Sequence, residues 1–126
     1  MNLNQVTVPS NNVEKAVSFY ESMGLILIVK SLPKYARFEL PQGDATFSIH
    51  LVTSPIQEPG VLVYFENDSL DDLVNSLIKK GIVFDAMPED QPWLWREARL
   101  RDPDGNQIVL FSAGKNRKNP PWRINN

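Results

Sequence analysis

His50 is the only imidazole in the chain. It sits in the alternating run Thr46-Phe47-Ser48-Ile49-His50-Leu51, which puts it on one strand face with Ser48 and Thr46. An imidazole is the natural general acid or base near neutral pH. Glu97, in the second alternating run Arg96–Arg101, can orient that imidazole or add a carboxylate of its own. The plainer reading of His50 is a hydrogen-bonded residue in a cleft wall. Arg37 and Arg99 can clamp a carboxylate or phosphate through two parallel N–H bonds. Equally, they can pair with Glu39 and Glu97 across neighbouring strands. Trp93 and Trp95 flank Leu94 after a proline-bounded loop. They can wall a flat ligand, offer their faces to a cation, or simply pack in a core or a dimer contact. There are no cysteines, so disulfides, thiolate metal sites and cysteine nucleophiles are excluded.

These side chains need strands to aim them. Leu3–Val8 is a β-rich run, broken by Pro9-Ser10-Asn11-Asn12. Asn11 or Asn12 can cap a helix in which Val13, Ala16, Val17 and Tyr20 share a face and Gly24 ends the element. Phe19 and Tyr20 read as core, without chemistry. Leu25–Val29 reads as a buried strand, and Tyr35–Leu40 and Thr46–Val52 alternate around a Pro41–Asp44 turn. Val61–Phe65 is the next strand. Ser69 is placed to cap a second helix with the stripe Leu70, Leu73, Val74, Leu77 and Ile78, closed by Gly81. Ile82–Phe84 is a short strand, and Met87–Pro92 reads as an acidic loop. A final hairpin runs from Arg96 to Phe111 around Asp102-Pro103-Asp104-Gly105-Asn106, where Pro103 presets a turn and Gly105 permits a left-handed backbone.

A shift of 57 residues superimposes the two halves: Val6 on Val63, Val13 on Leu70, Val17 on Val74, Tyr20 on Leu77 and Gly24 on Gly81. Each half reads strand, helix, strand, strand, strand. The expected organisation is a first βαβββ module over residues 1–53, a linker over 54–60, a second module over 61–113 and a proline-rich tail over 114–126. Trp122 and Ile124 are expected to dock on the domain or on a neighbouring subunit. One helix covers one sheet face, so the apolar face of each strand must meet it. The opposite face collects Gln5, Thr7, Arg37, Glu39, Ser48, His50, Tyr64, Trp95, Glu97, Arg99, Gln107, Val109 and Phe111. That mixture suits a small-ligand cleft better than a solvated sheet face.

The 126 residues carry a net charge of -2 and 42 % hydrophobic residues. A sizeable core follows, and neither a basic field for nucleic acid nor a polybasic arm for a membrane is present. No apolar run reaches the roughly 20 residues of a membrane span. The polar-spiked opening does not read as a signal peptide, so a cytoplasmic protein is expected.

Three stretches together resemble the vicinal oxygen chelate superfamily, which includes glyoxalase I, bleomycin-resistance proteins and extradiol dioxygenases. They are Asn4–Val8 with Val13–Leu25, Phe65–Asp71, and Asp102–Leu110, in order and spanning nearly the whole chain to about Ala113. The resemblance implies an α+β fold of two βαβββ modules whose curved mixed sheets share a cup, with helices outside, and commonly a homodimer. It also implies metal ligands at four strand positions, which fall here at Gln5, His50, Leu62 and Val109. Only His50 is a strong ligand. A divalent transition metal usually wants at least three nitrogen or carboxylate ligands, so no metal cofactor is expected, with Glu39 or Glu97 the remaining candidates to rescue a site.

The expected function is therefore metal-free binding of a small organic ligand, as in bleomycin-resistance proteins. The expected contacts are Gln5, Arg37, Ser48, His50, Tyr64, Trp93, Trp95, Glu97, Arg99 and Phe111. The first alternative is a metal-independent lyase or isomerase with His50 as acid or base, helped by Glu97. The second is a metal-dependent glyoxalase or dioxygenase.

Overall fold

Asn12 starts the first helix by accepting a hydrogen bond from the Lys15 N–H at 3.1 Å. The structure is a computed structural model that describes residues 1–57 and 60–124. Parts of the expected linker and tail, residues 58, 59, 125 and 126, lie outside the described residues. The element order is β1 (Gln5–Ser10), α1 (Val13–Ser22), β2 (Ile26–Ser31), β3 (Tyr35–Glu39), β4 (Thr46–Leu51), β5 (Val63–Glu66), α2 (Leu70–Lys79), β6 (Phe84–Asp90), β7 (Arg96–Arg101) and β8 (Gln107–Ser112). A short 3-10 turn follows at Gly114–Asn116.

The repeat becomes one topology used twice. The first sheet has strand order β1-β4-β3-β2 and the second β5-β8-β7-β6, each with one parallel pair and two antiparallel pairs. This is an α+β fold of two βαβββ modules. The helices end alike, at Gly24 (φ +100°) and Gly81 (φ +92°), conformations that glycine adopts without strain. The chain forms two compact units, Met1–Val61 with Asp102–Asn106, and Leu62–Arg101 with Gln107–Asn126.

In the first unit, Val13, Ala16, Val17 and Tyr20 of α1 are buried together with Val8, Ala36, Phe38, Phe47 and Ile49 of the sheet. The Tyr20 ring lies 4.7 Å from Phe47 and 6.1 Å from Phe38, centroid to centroid. In the second unit, Leu70, Val74 and Leu77 are buried with Ala98, Leu100, Ile108 and Leu110.

Several expectations are corrected. The strand after α1 is not buried. Apart from Leu27, every residue of β2 is exposed, because it is the edge strand of its sheet. Ile78 lies outside the buried stripe of α2 and is exposed. Ser69 makes no side-chain cap; instead Asn67 Oδ1 accepts from the Ser69 N–H at 2.8 Å. Of the acidic stretch Met87–Pro92 expected as a loop, Met87–Asp90 belongs to strand β6, paired with β7. Its proline is tolerated because β6 is also an edge strand, and Pro88 falls in a register shift between Ala86 and Glu89. Trp122 and Ile124 do not dock on their own chain; both are exposed.

The Asp102–Asn106 turn carries the densest polar network of the first unit. Asp102 is buried, and its Oδ1 accepts from the N–H groups of Asp104 and Asn106, each at 2.9 Å. Its Oδ2 accepts from the Tyr20 hydroxyl at 2.6 Å and from Asn106 Nδ2 at 2.8 Å. Asn106 Nδ2 also donates to the Pro9 carbonyl, and the Asn11 N–H donates to Asp104 Oδ1. A carboxylate with four donors is compensated for its loss of water.

Burial, reinforced by the Asp102 charge, pushes the Tyr20 phenol far above its ordinary value. Above about pH 10 the unfolded chain releases this proton while the folded chain holds it, so stability falls as pH rises, by about 1.4 kcal/mol per pH unit. Tyr20→Phe is expected to cost about 1–3 kcal/mol at pH 7 and to remove that alkaline slope. Asp102→Asn turns an amide toward the Asn106 amide and costs about 2–4 kcal/mol. Urea unfolding of the three proteins from pH 7 to 11 checks both; an unchanged slope in Tyr20→Phe contradicts the assignment.

Candidate functional site

Each sheet has a second face, away from its helix. In the first unit, register puts Gln5, Thr7 and Pro9 of β1 beside Thr46, Ser48 and His50 of β4. Tyr35, Arg37 and Glu39 of β3 lie on the other side of β4. The alternation of small polar and apolar residues sets this face. The Thr7 and Ser48 hydroxyls hydrogen-bond each other, and Ser48 is fully buried. Ser48 also lies beside the Tyr35 hydroxyl. Arg37 Nε donates to the Tyr35 oxygen at 2.8 Å, with its guanidinium carbon 5.4 Å from the Tyr35 ring centroid. Burial raises the Tyr35 phenol, but the hydrogen bonds from Ser48 and Arg37 and the Arg37 charge outweigh it, so the phenol lies below its ordinary value. At the rim, Thr46 donates to Gln5 Oε1 at 2.8 Å.

In the second unit the matching face is aromatic. Trp95 stacks on Phe111, with centroids 4.6 Å apart and planes 17° from parallel. Tyr64 meets both edge-on, at 6.0 Å from Trp95 and 5.7 Å from Phe111. Val109, Phe111 and Ala113 are buried under this group, and Trp95 packs against them. The Trp95 indole donates to the Asn116 carbonyl at 3.2 Å, which fixes its ring. Trp93 Nε1 donates to Glu97 Oε2 at 2.7 Å, and Arg99 reaches Glu97 Oε1 at 3.4 Å. The turn that aims the two tryptophans closes with a bond from Gln91 N–H to the Trp95 carbonyl at 2.7 Å, and Leu94 between them has φ +68°. A left-handed backbone is costly for leucine, by roughly 1–2 kcal/mol.

The residues singled out by sequence therefore fall into two groups. Gln5, Arg37, Ser48 and His50 share the first unit's polar face. Tyr64, Trp93, Trp95, Glu97, Arg99 and Phe111 belong to the second unit. Arg37 does not pair with Glu39 but turns to Tyr35, whereas Arg99 does pair with Glu97. His50 is exposed, opposite Tyr35 and Pro9 in register, and among the described residues its ring makes no hydrogen bond. Glu97 is buried and already holds two donors. Sequence reasoning left Tyr35 out of the site, although its place two residues before Arg37 on one strand face was visible. It also gave Tyr20 no polar role; a buried phenol needs a partner for its O–H, and that was the available signal.

The positions that the resemblance assigns to metal ligands do not make up a divalent-metal donor set. Of the four positions that the resemblance assigns to ligands, Leu62 and Val109 carry no donor atom, and Gln5 is a weak one. Among the described residues, no three histidine, aspartate or glutamate side chains gather to hold an ion.

The model of the Glyoxalase/Bleomycin resistance protein/Dioxygenase superfamily matches residues 2–110. Solved structures share the fold. A glyoxalase/bleomycin resistance protein/dioxygenase from Nocardioides has a TM-score of 0.78 and 23 % identity, over 99 % of this chain and 90 % of its own. A bleomycin resistance determinant encoded on the transposon Tn5 has a TM-score of 0.73 and 20 % identity, over 89 % and 98 %. A lactoylglutathione lyase from Agrobacterium tumefaciens has a TM-score of 0.72 and 16 % identity, over 88 % and 92 %. At these identities the likeness shows the fold alone. No curated protein matches the sequence.

The Trp93–Glu97 bond is testable on its own. Removing an N–H from a buried carboxylate costs about 1–2 kcal/mol where water can partly replace it. A double-mutant cycle of Trp93→Phe and Glu97→Gln, read by urea unfolding, should give a coupling of that size; a coupling under about 0.3 kcal/mol would mean the bond contributes nothing.

Proposed function

The chain belongs to the glyoxalase/bleomycin resistance protein/dioxygenase superfamily, and from that premise we propose that it binds a small planar organic ligand without a bound metal. One observation carries the reading: the stack of Trp95 on Phe111, with Tyr64 edge-on, on a sheet face with no helix over it in its own module. Tyr64 and Trp93 keep 42 % and 43 % of their surface exposed, so aromatic area remains to receive a ring. Flat aromatic walls bind flat ligands at low entropic cost, and their faces attract a cationic ring. Glu97 is committed to Trp93 and Arg99, so recognition on this face rests on ring contacts, with Arg99 at the rim.

The two alternatives have less behind them. A lyase or isomerase built on His50 needs a group that orients the imidazole. Among the described residues His50 has no hydrogen-bonded carboxylate. A metal-dependent glyoxalase or dioxygenase needs ligands that Leu62 and Val109 cannot supply. The proposal also takes the chain to be a cytoplasmic homodimer. Exposed Ile26, Ile28 and Val29 on the edge strand β2 support self-association, and the absence of cysteine suits a reducing compartment.

Tryptophan fluorescence titration with planar heteroaromatic compounds, neutral and cationic, tests the proposal. A submicromolar binder is expected, and Trp95→Ala should weaken it by about 10- to 100-fold, the loss of one stacked ring with its buried area. His50→Ala should leave affinity within about twofold. Dialysis against a chelator should also change nothing. Binding that disappears with the chelator and returns with zinc or manganese would overturn the metal-free reading; no binding by any planar compound would overturn the whole.

A further inference from the structure

The polar face of the first unit is left unused by the function just proposed, and it is built with more order than a solvated sheet face requires. Ser48 has no exposed surface, and its hydroxyl is hydrogen-bonded to that of Thr7, beside Tyr35. The phenolic oxygen of Tyr35 accepts from Arg37 Nε at 2.8 Å. A phenol keeps a proton to donate when its oxygen accepts. Among the described residues no acceptor takes the Tyr35 hydroxyl proton, which leaves it free to donate. A cation bound to the oxygen polarises that O–H and strengthens it as a donor. Among the described residues the two terminal nitrogens of Arg37 have no acceptor, and they lie on the same face.

From this arrangement we propose that Tyr35, Arg37 and Ser48 form an oxyanion-binding subsite, in which the Tyr35 hydroxyl and the free edge of the Arg37 guanidinium receive a carboxylate-type oxygen. Tyr35 donates to the ligand, and the hydrogen-bonded Thr7 and Ser48 hydroxyls lie beside it. These residues sit on β1, β4 and β3, three neighbouring strands, which fixes their geometry without a loop. Two other titratable groups face the same region. His50 lies opposite Tyr35 and adds positive charge when protonated. Glu39 lies at the solvent-exposed end of β3, beyond Arg37, where water screens its charge. The subsite uses no aromatic ring of the second unit, so it stands or falls separately from the planar-ligand reading.

The probe is acetate, added to protein labelled at tyrosine 13Cζ at pH 8, with ionic strength held constant by potassium chloride. The Tyr35 resonance should shift saturably with acetate in the millimolar range. Arg37→Met should weaken that response at least about tenfold and move the Tyr35 titration back toward the ordinary value near 10. Tyr35→Phe should remove acetate binding read from the acetate methyl line width, with circular dichroism unchanged. Trp95→Ala should keep the full acetate response even if it abolishes binding of planar compounds. A Tyr35 resonance unmoved by acetate, or moved equally in Arg37→Met, would overturn the subsite.

Discussion

A phenol and a carboxylate buried against each other set the frame of the first unit. Tyr20 closes the apolar face of α1, and its hydroxyl meets Asp102 at 2.6 Å. That carboxylate in turn organises its own turn through Asp104, Asn106 and the Pro9 carbonyl. The four donors on Asp102 make each other necessary: removing one leaves a buried acceptor or donor unmatched, which costs more than an average hydrogen bond contributes. The turn Asp102–Asn106 comes late in the chain, between β7 and β8, yet it is structurally part of the first unit. A segment that reads as a hairpin tip is therefore also a core element, and Gly105 at φ +87° lets it make the turn that this role needs.

The repeat was legible because helices and buried strand faces leave periodic marks. The shift of 57 residues that aligned Val13 with Leu70 and Gly24 with Gly81 maps α1 onto α2 without adjustment. Edge strands left weaker marks. Nothing in the aliphatic run Leu25–Val29 distinguishes a buried strand from an edge strand; only the order of the whole sheet does so. The same holds for β6, where acidic residues and Pro88 read as a loop and only a bulge on an edge strand accommodates them. For the site, residue types and faces could be read from alternation. Partner choice could not. That Arg37 turns to a phenol on its own strand rather than to Glu39 shows only in the side-chain contacts.

The two units show what duplication leaves free to change. Each has a cross-strand row at the same place in its sheet: Thr7, Ser48 and Arg37 in the first, Tyr64, Val109 and Arg99 in the second. Each arginine bonds the residue two positions before it on its own strand, Tyr35 in one case and Glu97 in the other. The strand frame thus fixes where the guanidinium sits and which neighbour it meets, while the neighbour's identity decides the chemistry. In the first the guanidinium meets a phenol, in the second a carboxylate.

The central residue of each row then sets the character of the face. Ser48 is buried but polar, so its hydroxyl needs a partner, and Thr7 supplies it. Val109 is buried and apolar, so it asks for cover, and Trp95, Phe111 and Tyr64 supply ring surface around it. The two faces thus differ through their central residues, while the strand pairing around those residues is the same in both sheets. Shared topology therefore leaves the chemistry of each face to the side chains that the strands present.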